Sequence, residues 1–181
     1  MQTDENVKIQ LPGCNLFLIG FMGTGKSTIA GKLNSLYGMG VVEMDQLIEE
    51  RNGMKISEIF AKKGEPYFRE EETKLLKELE NDINVVISCG GGTAMRRENV
   101  DIMKKSGRVV WLTAGPETIY DRVKDDHNRP LLENNKTVAY IEELLTARTP
   151  KYKAAADFSV ATDSGDVEMI CREIVKKARA Y

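Results

Sequence analysis

The chain has 181 residues, 41% hydrophobic and 30% charged, with 26 Lys and Arg against 28 Asp and Glu for a formal net charge of −2. That length suits one domain over residues 1–181, the composition excludes wholesale disorder, and the slightly acidic balance argues against a nucleic-acid binder. No apolar run approaches the roughly 18 residues of a membrane span, the polar start Met1-Gln-Thr-Asp-Glu-Asn6 resembles neither a signal nor a transit peptide, and Cys14, Cys89 and Cys171 make neither a disulfide framework nor a zinc pattern. The expectation is a cytoplasmic monomer.

Short apolar, β-branched runs alternate with stretches of helical period. Residues 16–19 read as a buried strand ending in Gly20. From Lys26 to Leu36, Ile29, Leu33 and Leu36 share one helical face, and Gly38 supplies the stop. Val41-Val42 is a brief strand closed by the acids Glu43 and Asp45. Leu47-Ile48, and then Ile56, Ile59 and Phe60, mark two short helices, the second with Ser57 as its N-cap. Across residues 65–81, Phe68, Leu75, Leu76 and Leu79 against Glu and Lys make an amphipathic helix. Residues 85–87 form a strand running into Ser88-Cys-Gly-Gly-Gly92. A helix with Ile102 and Met103 follows, then a strand over 109–112 with Trp111 in the core.

Pro116 suits the first turn of a helix carrying Ile119 and Val123. Thr137 opens a helix with Ile141, Leu144 and Leu145, and Arg148 closes it, where a cation suits the dipole. Residues 158–161 are the last strand and 167–178 the terminal helix. The alternation predicts an α/β fold, a parallel sheet of about five strands with helices on both faces. Residues 125–136, polar and without period, read as a mobile lid. The single histidine, His127, lies there as an exposed loop residue, so the chemistry is expected to use no imidazole.

Gly20-Phe-Met-Gly-Thr-Gly-Lys-Ser27 matches G-x-x-x-x-G-K-[ST], the P-loop, and sits between a predicted strand and a predicted helix. Its glycines let backbone N–H groups turn inward around phosphate oxygens, and the helix N-terminus adds partial positive charge. Gly23, Thr24, Gly25, Lys26, Ser27 and Thr28 are the expected nucleotide-binding residues, with Lys26 reaching the β- and γ-phosphates and Ser27 ligating Mg²⁺. ATP and Mg²⁺ are the expected cofactors.

No D-x-x-G occurs, and Asn135-Lys-Thr-Val138 lacks the Asp of a guanine motif, so both marks of a GTP-dependent switch are missing. Motor-type ATPases usually close a strand beyond the P-loop with an acid, whereas the strand near residue 88 ends in a hydroxyl and three glycines. The acids lie after the second strand instead. A carboxylate beside the phosphates, with a small substrate pocket, suggests a small-molecule kinase.

Five blocks together are selective: Gly20-Phe-Met-Gly-Thr-Gly-Lys-Ser-Thr28; Glu43-Met-Asp45; Phe60 through Gly64-Glu-Pro-Tyr-Phe-Arg69 to Glu72; Gly90-Gly-Gly92; and Arg129-Pro-Leu-Leu132 with Arg148-Thr-Pro-Lys-Tyr152. In these blocks the chain resembles the shikimate kinase family, over nearly its whole length after about Leu16. The resemblance implies a nucleoside-monophosphate-kinase-like fold. It also implies Mg²⁺-dependent transfer of the ATP γ-phosphoryl group to the 3-hydroxyl of shikimate, on the pathway to chorismate and the aromatic amino acids.

By the same resemblance Asp45 holds the hydroxyl and accepts or steers its proton, while Arg69 and Arg148 clasp the substrate carboxylate with planar, paired donors. Gly90, Gly91 and Gly92 bring backbone N–H groups to the ring, and Glu72 orients an arginine or a substrate hydroxyl. Arg129 acts from the lid on the transferring phosphoryl group, completing a catalytic set with Lys26 and Asp45, and Arg122 stacks on adenine. The family usually has Asp where this chain has Glu43, one methylene longer, so Ser27 is the one metal residue assigned. The turn Thr162-Asp-Ser-Gly165 carries no mark that assigns it. Two competing readings remain. A sister kinase acting on gluconate or a nucleoside monophosphate gives no reason for Arg69 and Arg148 together, and a nucleotide-binding module without catalysis gives none for Asp45.

Overall fold

Five parallel strands run in the order β2-β3-β1-β4-β5. They are β1 Asn15–Ile19, β2 Gly40–Glu43, β3 Val85–Ser88, β4 Gly107–Thr113 and β5 Phe158–Ala161. The helices are α1 Lys26–Tyr37, α2 Met44–Asn52, α3 Ile56–Lys63, α4 Glu65–Leu79, α5 Arg97–Ser106, α6 Pro116–Val123, α7 Val138–Ala155 and α8 Val167–Ala180, with one 3₁₀ turn at Thr93–Met95. The computed structural model describes residues 14–126, 132 and 135–181, so most of the expected lid, with His127 and Arg129, lies outside the described residues.

The two faces of β1 explain the layering. Successive side chains of a strand point to opposite sides. Leu16 and Leu18 join Ile29, Leu33, Cys171 and Ile174 under α1 and α8. Phe17 and Ile19 join residues of the other helices, including Met44, Leu76, Met103 and Tyr152. Every residue of β1 is buried, which is why it reads as a continuous apolar run rather than an alternating one. All five carboxyl ends point one way, and the P-loop, α2 and the glycines after β3 emerge at that edge. Open parallel sheets bind ligands there.

Most expected elements are present, and the differences have local causes. Thr137 caps α7, its hydroxyl accepting from Tyr140 N–H at 3.2 Å, and Gly38 ends α1 in the left-handed region at φ 69°. Ser57 is not an N-cap. The chain enters α3 earlier because the carboxylates of Glu49 and Glu58 accept from Ile56 N–H and Lys55 N–H, each at 3.0 Å. Asp45 does not end a strand but rides the first turn of α2, where the helix N-terminus favours an acid. Arg148 does not end its helix: α7 continues through Pro150 to Ala155, because Tyr152 and Ala155 are buried in the core. Trp111 is half-buried rather than fully so, stacked on Tyr152.

Candidate active site

The site begins with the loop between β1 and α1. Gly20, Gly23 and Gly25 all take positive φ, and two of them are held by close neighbours. A Cβ on Gly20 would lie 2.5 Å from the carbonyl oxygen of Leu112, and one on Gly23 2.8 Å from Val123. Only glycine lets the loop take these dihedrals and pack this tightly. Lys26 Nζ donates to the carbonyls of Gly20 and Phe21, each at 2.9 Å, which places the ammonium at the centre of the loop. Arg122 of α6 donates to Gly23 O at 3.0 Å and Thr162 O at 2.6 Å, tying the loop to the turn after β5. Its guanidinium is thus held by backbone carbonyls at the cleft wall.

The cleft over this loop has a volume of about 910 Å³ and runs from Thr162 and Val167 past Lys26 to Asp45 and Gly91. That is the size of a nucleotide-sized ligand site. Beside the P-loop, Ser27 Oγ donates to Glu43 Oε2 at 2.9 Å and stands 3.5 Å from Ser88 Oγ. The extra methylene of Glu43 therefore brings its carboxylate onto the P-loop hydroxyl. The donors are all hard oxygens, which fits Mg²⁺.

Beyond the P-loop, three glycines after β3 stand among charged side chains. A Cβ on Gly90 would lie 2.8 Å from both Asp45 Oδ1 and Glu72 Oε1. One on Gly92 would lie 2.5–2.7 Å from the Arg69 guanidinium. Arg148 is the neighbour of Gly91, at 3.7 Å from a Cβ there, and its guanidinium carbon lies 5.7 Å from the centre of the Phe21 ring. The turn thus gathers Asp45, Glu72, Arg69 and Arg148, which the sequence scatters over α2, α4 and α7. A side chain at 90 or 92 would have to displace these charged groups, which occupy the space it would fill.

Arg69 is gripped from two sides. Its Nη1 donates to Glu72 at 2.8 Å, while Nε and Nη2 donate to Glu65 at 3.1 and 2.9 Å. Glu72 is fully buried and receives a second bond at 2.6 Å from Thr93 Oγ1. Behind it, Asn99 donates to Thr93 O at 3.0 Å and accepts from Thr73 Oγ1 at 2.7 Å, so the polar groups of α4, the 3₁₀ turn and α5 satisfy one another. Sequence reasoning missed Thr73, Thr93, Asn99 and Ser88. One signal existed: Asn99 and Thr73 lie on the apolar faces of their helices, beside Met103 and Leu76.

Asp45 faces solvent through the cleft, yet protein crowds it on the other sides. Burial, and then the neighbouring Glu72 charge, push its carboxyl up to about 6, against the pull of Lys26 and Arg69. A carboxylate with that value is ionised at neutral pH and still basic enough to take a proton. Cys89, at the root of the glycine turn, is buried and its thiol is pushed well above the usual range, again first by burial, so it is no nucleophile.

A P-loop on a five-stranded parallel sheet, with a basic carboxylate at the end of its cleft and two arginines against the adjoining glycine turn, defines a small-molecule kinase. The family model for shikimate kinase matches residues 22–179, and the chain belongs to the shikimate kinase family. It is 41% identical over 165 residues, 91% of this chain and 98% of the relative, to a shikimate kinase of Sulfurihydrogenibium sp. (strain YO3AOP1). Among solved structures, a shikimate kinase from Acinetobacter baumannii in complex with shikimate matches with a TM-score of 0.85 and 34% identity, over 91% of this chain and 92% of that one. A gluconokinase from Sinorhizobium meliloti 1021 matches with a TM-score of 0.56 and 17% identity, over 92% and 91% of the two chains, a likeness of fold alone. No helix among the described residues is long and apolar enough to cross a membrane.

In Gly90→Ala the new methyl displaces Asp45, so kcat falls on the order of 10²-fold; in Gly92→Ala it displaces Arg69, so KM for the phosphoryl acceptor rises with kcat much less affected. Steady-state kinetics of the two folded variants checks this, and identical effects on both parameters would contradict it. With Asp45 ionised for action, kcat/KM for the acceptor falls about tenfold per pH unit below about 6. Glu72→Gln removes a charge that holds that value up, so the acid limb moves to lower pH; a limb that stays put or moves up refutes the assignment of Asp45.

Proposed function

We propose that the protein transfers the γ-phosphoryl group of ATP to the 3-hydroxyl of shikimate, giving shikimate 3-phosphate and ADP, as a cytoplasmic monomer with no nucleic-acid partner. The observation that carries the reading is the glycine turn with Asp45 against Gly90, Arg148 beside Gly91 and Arg69 against Gly92, at the end of the P-loop cleft. Two arginines fit a carboxylate bidentately, and a basic carboxylate next to them fits a hydroxyl. A hydroxylated carboxylic acid has both groups.

The chain's residues divide the work. Backbone N–H groups of the P-loop and Lys26 hold the β- and γ-phosphates, and Arg122, at the cleft wall, ties the loop to the turn after β5. Ser27, with Glu43 on its hydroxyl, would hold Mg²⁺, which would supply charge neutralisation of the phosphates. Arg69 and Arg148 bind the acid and turn its hydroxyl toward Asp45. Asp45 accepts the hydroxyl proton at Oδ1 or Oδ2 as the oxygen attacks phosphorus. Positioning and charge stabilisation carry most of such a reaction.

Coupled ADP release with shikimate, gluconate, AMP and CMP offered separately tests the reading. Turnover is expected with shikimate only, and Asp45→Asn lowers kcat by about 10²–10⁴-fold with ATP affinity nearly unchanged. Turnover of gluconate or a nucleoside monophosphate in place of shikimate, or a wild-type kcat in Asp45→Asn, would overturn it.

A further inference from the structure

The glycine turn has no side chains of its own to fix its orientation. Backbone bonds secure its two ends: Thr93 N–H donates to Gly90 O at 3.1 Å and Met95 N–H to Gly92 O at 3.0 Å. Its middle carbonyl, that of Gly91, accepts instead from a distant side chain, the Tyr152 phenol at 2.6 Å. Tyr152 is 1% exposed, and its ring stacks on Trp111 with centroids 6.1 Å apart and planes 25° from parallel.

A planar trans peptide carries its carbonyl oxygen and the next N–H on opposite sides. Holding Gly91 O therefore also fixes the direction of Gly92 N–H, in the residue against which Arg69 lies. One helical turn before Tyr152, Arg148 stands over the same glycine and over Phe21 of the P-loop. Between the two lies Pro150, inside α7. A proline in a helix interior forfeits a backbone hydrogen bond and strains the preceding turn, and here it falls within the segment that carries both residues.

We propose that Tyr152 is a positioning residue for the acid substrate, holding the Gly91–Gly92 peptide and Arg148 in one register so that both arginines meet the same carboxylate. Tyr152 acts through the glycine carbonyl and does not touch the reacting atoms. The proposal rests on the reading of an acid-binding site, and its test separates the two.

In Tyr152→Phe the ring and its stack on Trp111 remain, which keeps the fold, and only the phenol oxygen is lost. KM for shikimate is expected to rise roughly three- to tenfold, the equivalent of one lost hydrogen bond, with KM for ATP unchanged and kcat within about twofold. Trp111 is the one tryptophan of the chain, so its fluorescence gives an independent shikimate titration, expected to shift by the same factor. A purely structural role lowers the melting temperature and the active fraction but leaves both KM values in place, and that result, or an equal rise in both, overturns the proposal. Wild-type protein that does not turn over shikimate at all refutes the functional reading instead.

Discussion

A buried carboxylate governs this site. Glu72 has no contact with water, and a buried ionised group costs several kcal/mol unless it is paired and hydrogen-bonded. Arg69 supplies the pairing at 2.8 Å and Thr93 the second bond at 2.6 Å. From this follow the need for Asn99 and Thr73 to anchor Thr93, the orientation of the Arg69 guanidinium, and the absence of side chains at Gly90 and Gly92. The proton affinity of Asp45 follows as well, since the Glu72 charge is the second cause of its upward shift, after burial. One interior charge thus links Arg69 to Asp45, the two residues to which the proposed reading gives the acid and its hydroxyl.

The sheet brings these parts to the nucleotide. β1 delivers the P-loop, β2 leads into α2 and Asp45, and β3 leads into the glycine turn, all at one carboxyl edge. Phe21 joins the two halves: it is a P-loop residue, buried in the core, and it lies under Arg148. The P-loop and the glycine turn with its arginines are thus in contact through the Phe21 ring and the Arg148 guanidinium.

Contiguous features were legible in the sequence. The P-loop, the strand and helix order, the Thr137 cap and the Gly38 stop each depend on neighbours within a few residues. The features that were misread depend on distant partners. Ser57 lost its capping place to Glu49 of the preceding helix, and α7 ran past Pro150 because Tyr152 packs against Trp111 and Gly91. Asn99 and Thr93 gave no motif, because their role exists only where α4 and α5 meet. Arg69, Glu72 and Arg148 entered through family resemblance, and the structure supplies the physical reason: they surround one glycine turn. Glu43, the departure from the family pattern, reaches the P-loop serine directly.

The proposed grip of Arg69 and Arg148 on a carboxylate is tested by a cycle of kcat/KM values for wild type and Arg148→Ala, each with shikimate and with its carboxamide. Removing the substrate charge, or the arginine alone, is predicted to lower kcat/KM by roughly 10–100-fold or more, as for a hydrogen bond to a charged group. Making both changes costs less than the product of the two, because they delete the same interaction. A carboxamide that turns over as well as shikimate, or effects that multiply independently, would contradict the carboxylate clasp.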